Sequence, residues 1–156
     1  MPSLSFRFAP LPAAFVDRVR LTRRDDFSRP VEITVATGGE PLRDQFRRAA
    51  PGERLMLCSY QAVPLPSRFA EIGPIFISAD LPAAEPPAPG ALPAGYFPRP
   101  FALRAYDASD AILDSAITEP AAAPDLIGAW LARPGVAYLH ARFAGHGCFA
   151  GRFERG

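Results

Sequence analysis

No other stretch constrains the fold of this chain as much as residues 136–155, VAYLHARFAGHGCFAGRFER. Aromatic or aliphatic residues alternate with polar ones on both sides of a glycine-rich break at residues 145–147. Alternation with a period of two around a short turn is typical of a β-hairpin, where glycine accepts the positive φ of the turn. The same segment contains His140, His146 and Cys148. We therefore expect one hairpin to combine a structural role with much of the candidate chemistry.

Further strand and helix patterns place this hairpin in an α+β fold. Strand-like alternation or β-branched residues recur at residues 3–8, 31–36, 55–60, 73–78, 101–106 and 111–117. Helical spacing predicts two short helices, at residues 13–20 and 124–132, with Trp130 in the core. The sequence thus predicts a single domain over residues 1–156, mainly antiparallel β-sheet with two short helices, the second packed across the sheet.

A long Pro-rich loop interrupts this pattern at residues 82–100, which contain seven prolines and two glycines. Proline cannot donate to a β-ladder, so we expect an extended excursion within the domain. Tyr96 and Phe97 are apolar enough to dock such a loop, and long ordered loops often act as lids over a site.

Composition excludes several classes of function. Apolar residues make up 49% and charged residues 21% of the chain, as in soluble globular proteins, and the net charge of +1 gives no field that attracts nucleic acid or an acidic membrane. No apolar run approaches the roughly 20 residues of a membrane span, and the N-terminus does not resemble a signal peptide. Two cysteines make no disulfide framework. We expect a cytoplasmic protein with reduced thiols and no cofactor.

All seventeen basic residues are arginine, whose planar guanidinium group suits carboxylate or phosphate. Alternation places Arg104 with Tyr106 on one strand face and His140 with Arg142 on another. The predicted site for a small anionic ligand comprises Arg43, Tyr60, Arg104, Tyr106, His140 and Arg142. The competing interpretation is that each arginine pairs with one of the sixteen acidic residues. We read the charge cluster at residues 23–26 as a solvated loop.

Cys148 is a candidate nucleophile, with His140 or His146 as its base. If Phe143 pairs with Cys148 across the hairpin, His140 points to the opposite face. If Ala144 pairs with Cys148, the two groups share a face. Alternation favours the first register, and the catalytic residues stay unassigned. A zinc site built on the same three groups would need a spacing that matches no known ligand pattern, so no metal is expected.

Several phrases, taken together, resemble the bacterial proteins of domain-of-unknown-function family 1203: PLR followed by PGE, then GPIF, RAYD, VAYLH and GCFAGRFER. They extend from about Pro41 to the end of the chain. The resemblance implies a single-domain bacterial protein and brings no activity or catalytic residue with it. Family members tend to read Pro-Cys-Arg where this chain has Pro41, Leu42 and Arg43, so a mechanism that needs a thiol there does not extend to this chain.

Two functions follow as expectations. The first is a site that binds, or acts on, a small anionic molecule through the arginine, histidine and tyrosine side chains above. The alternative is a non-enzymatic structural or interaction module whose exposed sheet edge pairs in a homodimer. A concave pocket lined by polar groups favours the first function, and a flat apolar patch favours the second.

Overall fold

The computed structural model describes residues 5–156 and contains two five-stranded β-sheets and two helices. The strands are β1 (Phe6–Ala9), β2 (Glu32–Val35), β3 (Pro41–Leu42), β4 (Arg47–Arg48), β5 (Arg54–Val63), β6 (Glu71–Ser78), β7 (Phe101–Tyr106), β8 (Ile112–Thr118), β9 (Tyr138–Phe143) and β10 (Phe149–Arg155), and the helices are α1 (Ala13–Thr22) and α2 (Ala123–Leu131). The predicted α+β class is confirmed. Pairing is antiparallel throughout both sheets except where β3 runs parallel to β6.

The first sheet has the strand order β1-β10-β9-β7-β8. Because side chains alternate along each strand, its apolar residues collect on one face, where α2 and the Pro-rich loop cover them. Ile127 and Leu131 of α2 are fully buried in this core. Trp130 only packs partly buried against it, so the helix is anchored by its aliphatic residues more than by the indole.

The second sheet has the order β2-β5-β6-β3-β4. Phe15, Val16 and Val19 of α1 pack against one face of β5 and β6, and Phe149 of β10 joins the same cluster. Cys58 lies in this core, 2% exposed, and burial raises the pKa of its thiol to about 12, as expected for an inert core cysteine. Neither helix of the described chain is long and apolar enough to cross a membrane.

A close approach at Gly151 fixes the path of β10. A Cβ atom at this position would lie 2.1 Å from Cζ of Phe8, so only glycine lets the Phe8 ring lie across the strand. A β-bulge directly precedes Gly151, where the register with β9 shifts between Phe149 and Gly151. The bulge turns the Phe149 ring toward the core of the second sheet, while Ala150 stays in the core of the first.

The Pro-rich loop is confirmed, and it is docked. Residues 82–100 contain no strand, and Tyr96 and Phe97 are 0% and 6% exposed. The hydroxyl of Tyr96 donates to the carbonyl of Ala150 at 2.7 Å. The Pro-rich loop is therefore ordered and is attached to the last hairpin by a buried hydrogen bond.

The charge cluster at residues 23–26 is not a solvated loop throughout, which corrects the sequence interpretation. Asp25 is 6% exposed and accepts hydrogen bonds from the backbone amides of Phe27, Arg29 and Ser59. Asp26 accepts one from the amide of Gln61. Both carboxylates thus fasten the loop to β5, a role that depends on strand proximity and leaves no mark on local sequence.

Candidate anion-binding site

Hydrogen bonds at the tip of the last hairpin determine which side chains share a face. The amide of Phe143 donates to the carbonyl of Cys148 at 3.0 Å, and the amide of Gly147 donates to the carbonyl of Phe143 at 3.0 Å. Phe143 therefore lies opposite Cys148, the register favoured by alternation. Since His140 is three residues from Phe143, it points to the other face and cannot act as a base for Cys148.

The remaining Cys–His and metal arrangements find no support in the geometry. Cys148 and His146 line the same cavity, but within the described chain no hydrogen bond joins them. No group of three or more His, Cys, Asp or Glu side chains in residues 5–156 is arranged to hold a metal ion.

A cavity of about 730 Å³ opens between the hairpin tip, the Pro-rich loop and the second sheet. Its walls combine apolar residues from these three parts with a polar set, and we call it the arginine cavity. The apolar lining includes Pro41, Leu57, Pro74, Ile75, Phe76, Pro98, Pro100 and Phe143, and the polar lining Glu40, Arg43, Arg48, Arg99, His146 and Cys148. A volume of this size is typical of sites for small organic molecules.

Arg43 is the most buried cation of this cavity, at 5% exposure. Its Nε donates to the carbonyl of Phe149 at 2.9 Å, and its Nη1 donates to the carbonyl of Pro41 at 2.8 Å. The Nη2 group makes no hydrogen bond to the described residues. Burial lowers the pKa of Arg43, and the positive charge of Arg48 lowers it further. Backbone carbonyls thus hold this guanidinium group in place without cancelling its charge.

Arg48 is positioned in the same way. Its Nε donates to the carbonyl of Tyr96 at 3.2 Å, and its Nη1 donates to the carbonyl of Gly39 at 2.7 Å. The guanidinium carbons of Arg48 and Arg43 lie 5.1 and 5.2 Å from the ring centroid of Phe143, within cation–π distance. Burial lowers the pKa of Arg48, as does the charge of Arg99. The ring of Phe143 is therefore in contact with two cations, which repel each other.

The arginines of the arginine cavity are not paired with acidic residues of the described chain. None of the ion pairs formed within residues 5–156 includes Arg43, Arg48 or Arg99. Among the described residues, Glu40 is the one acid in the lining, and it accepts hydrogen bonds from the amides of Thr37 and Gly38, each at 2.8 Å. Burial raises the pKa of Glu40, but these amides outweigh it and the net shift is downward. Its carboxylate is therefore held by the preceding turn and forms no ion pair with an arginine of residues 5–156.

The predicted site residues divide between two regions. Arg43 lines the arginine cavity, and with Tyr60 it also lines a smaller cavity of about 160 Å³. Tyr60 packs between two aromatic rings, and its ring centroid lies 5.3 Å from that of Phe149 and 4.7 Å from that of Phe15. The other four predicted residues, Arg104, Tyr106, His140 and Arg142, lie together on the second face of the first sheet.

Glu71 lies between the arginines of that second group. Its carboxylate forms ion pairs with Arg142 and, at 3.6 Å, with Arg104. The competing interpretation, in which arginines pair with acids, therefore describes these two residues. We call Arg104, Arg142 and Glu71 the paired cluster.

His140 is buried beside the paired cluster, at 1% exposure. Burial lowers its pKa to about 3, and the charges of Arg152, Arg142 and Arg104 act in the same direction. The imidazole is consequently neutral at physiological pH. Its Nδ1 and the hydroxyl of Tyr106, whose rings lie 4.9 Å apart, are buried without a hydrogen-bond partner among residues 5–156.

Sequence reasoning did not include Arg48, Arg99, His146 or Cys148 in the binding site. The crowding of Arg43, Arg47 and Arg48 is visible in the sequence. The sequence does not show which of the three forms an ion pair with an acid. Arg47 forms an ion pair with Glu53 at 2.7 Å, whereas its neighbour Arg48 turns toward the cavity. Arg99 reaches the site only because the Pro-rich loop docks there.

Comparison with known proteins adds a family and no activity. The model of a family described as protein of unknown function (DUF1203) matches residues 39–155. The matched region contains every residue named above for the arginine cavity. No curated protein and no solved structure matches the chain.

Proposed function

The chain belongs to the DUF1203 family of proteins of unknown function, and we propose that it binds a small anionic molecule in the arginine cavity. One observation carries the proposal. Three guanidinium groups line a single cavity, and no carboxylate of the described chain forms an ion pair with any of them.

Burying a cation without a counter-charge is unfavourable unless it gains hydrogen bonds or an anion. Carbonyl groups supply the hydrogen bonds to Arg43 and Arg48, which leaves Nη2 of each residue free to donate. An anion that accepts from these groups would form charge-assisted hydrogen bonds and relieve the repulsion between the two cations. The carbonyls hold both groups before the ligand arrives, so little side-chain entropy is lost on binding.

Arg99 gives the site a third cation at its edge. It is exposed and lies on the Pro-rich loop between two prolines that also line the cavity. Proline restricts the backbone on both sides of Arg99, which keeps this side chain near the opening. We assign Arg43 and Arg48 to contact with the bound anion and Arg99 to its attraction from solvent.

Calorimetric titration of acetate, phosphate and hexanoate in a chloride buffer tests the proposal. We expect Arg48→Gln to weaken binding about tenfold or more, since it removes a hydrogen bond to a charged group. Arg68→Gln is the matched control, because Arg68 is exposed and does not line the cavity. Binding of no anion to the wild type, or equal binding by the two variants, would contradict the proposal.

The four predicted residues on the first sheet stay a predicted second site. They differ from the arginine cavity in already having Glu71 as an anionic partner. Arg104→Ala distinguishes the two sites. The variant keeps the wild-type affinity for anions if the anion enters the arginine cavity, and it binds them more weakly if the anion lies beside His140.

The alternative function, a homodimer formed through a sheet edge, also stays a prediction. Strand β2 is an edge strand of the second sheet, and Ile33 and Val35 on it are 43% and 61% exposed. Light scattering over a range of protein concentrations distinguishes the two functions, since dimer formation rises with concentration and anion binding to a monomer does not change the mass.

A further inference from the structure

From the walls of the arginine cavity we infer that its ligand is an organic acid with an apolar body, and not an inorganic anion. The inference rests on the proposed function and adds the chemical class of the ligand. An inorganic anion would fill only a small part of about 730 Å³. Something else has to contact the rest of the lining, and the chemistry of that lining indicates what it is.

One apolar wall comes from the second sheet. Leu57 of β5 lies directly opposite Phe76 of β6, and Pro74, two residues from Phe76 along β6, lies on the same face of the sheet and pairs with Ser59. These side chains lie on the face of the sheet that α1 does not cover, since α1 packs against Met56 and Cys58. Leu57 and Phe76 are only partly buried, and Pro74 is exposed.

A second apolar wall comes from the Pro-rich loop and the last hairpin. Pro98 and Pro100 line the cavity from the loop and are exposed, and Phe143 lines it from the end of β9. Apolar surface that stays accessible inside a concave site, instead of collapsing into the core, is typical of a site that buries an apolar group of a ligand.

The cations are concentrated where the second wall ends. Arg43 and Arg48 both lie against the ring of Phe143, so their positive charge is next to the hairpin. A ligand that satisfies both parts has an acid group that accepts from Nη2 of Arg43 and Arg48. Its hydrocarbon body then extends along the apolar walls.

A series of ligands tests this class by calorimetry: acetate, butyrate, hexanoate, phosphate and the neutral hexanamide. Each buried methylene group is expected to raise the affinity about three- to fourfold, so hexanoate should bind much more tightly than acetate. Phosphate should bind no better than acetate, and hexanamide should bind at least about tenfold more weakly than hexanoate.

The failures of the two proposals give different results. Equal affinities for acetate and hexanoate, both lost in Arg48→Gln, would overturn the organic-acid class and leave the anion site standing. Equal affinities for hexanamide and hexanoate would overturn the anion site itself.

A pair of variants locates the apolar body. Leu57→Ser should reduce the gain from acetate to hexanoate and leave acetate binding unchanged. Leu113→Ser is the matched control, because Leu113 is 45% exposed on β8 and does not line the cavity. A gain that is the same in both variants would mean that the hydrocarbon does not lie on the second sheet, and the inferred pose would be wrong.

Discussion

Two groups of arginines in this protein differ in what holds them. In the paired cluster, Arg142 and Arg104 contact the carboxylate of Glu71. In the arginine cavity, Arg43 and Arg48 contact backbone carbonyls. A carboxylate both positions a guanidinium group and cancels its charge, whereas a carbonyl only positions it.

This difference separates a structural use of arginine from a binding use. Arg142 has only 11% of its side chain exposed, and with Glu71 beside it needs no further anion. Arg43 is buried to a similar extent and has no carboxylate partner among residues 5–156. Residue type and burial are alike in the two places, so the distribution of acids decides which group is available to a ligand.

The largest expected effect is on the paired cluster. Glu71→Ala leaves two cations without their carboxylate, and we expect it to lower the free energy of unfolding by about 2–3 kcal/mol, somewhat below the range for a fully buried pair. Asp80→Ala is the control, since Asp80 and its partner Arg54 are 54% and 53% exposed and should contribute at most about 1 kcal/mol. Urea unfolding in chloride measures both. Similar losses in the two variants would show that Glu71 is not the special partner of this cluster.

These expectations depend on partners that the sequence could not supply. The strands at residues 101–106 and 136–155 could be predicted from alternation, and with them the shared face of His140 and Arg142. Glu71 could not be assigned to that face, because it lies on the other sheet and its approach depends on how the two sheets meet.

The arginine cavity was less predictable for the same reason. Arg43, Arg99 and Phe143 come from a turn, a loop and a hairpin that are far apart in the sequence. Alternation and turn residues determine local structure, but docking of the Pro-rich loop depends on tertiary contacts, which include the burial of Tyr96 and Phe97 and the hydrogen bond from Tyr96 to Ala150 in the bulge. The bulge itself has only Gly151 as a signal, and glycine is common.

A smaller effect is expected from His140. Its folded pKa of about 3 lies below its ordinary value of 6.5, so the unfolded state binds the proton more tightly. Stability from this group is complete above pH 6.5 and is lost as the pH falls toward 3, at up to about 1.4 kcal/mol per pH unit. Between pH 6.5 and 5 the loss should approach about 2 kcal/mol.

His140→Gln isolates this contribution, because other acid-sensitive groups titrate equally in both proteins. Burial is the largest cause of the lowered pKa. The difference between wild type and variant in the pH dependence of the free energy of unfolding should therefore persist at high salt, which screens the three arginine charges. If high salt abolishes this difference, the arginine charges beside His140 lower its pKa more than burial does. Glu71 would then leave much of that charge uncancelled, and the contrast between the paired cluster and the arginine cavity would weaken.

The central claim is that the arginine cavity binds an anion because its guanidinium groups have no carboxylate partner among residues 5–156, and supplying such a partner tests it most directly. Cys148 lines the cavity near Arg43. Cys148→Asp therefore introduces a carboxylate beside these arginines, as Glu71 does beside Arg104 and Arg142 in the paired cluster. Cys148→Asn is the neutral control of the same shape. We expect hexanoate to bind Cys148→Asp at least about tenfold, or about 1.4 kcal/mol, more weakly than Cys148→Asn. Equal hexanoate affinities in the two variants would contradict the account.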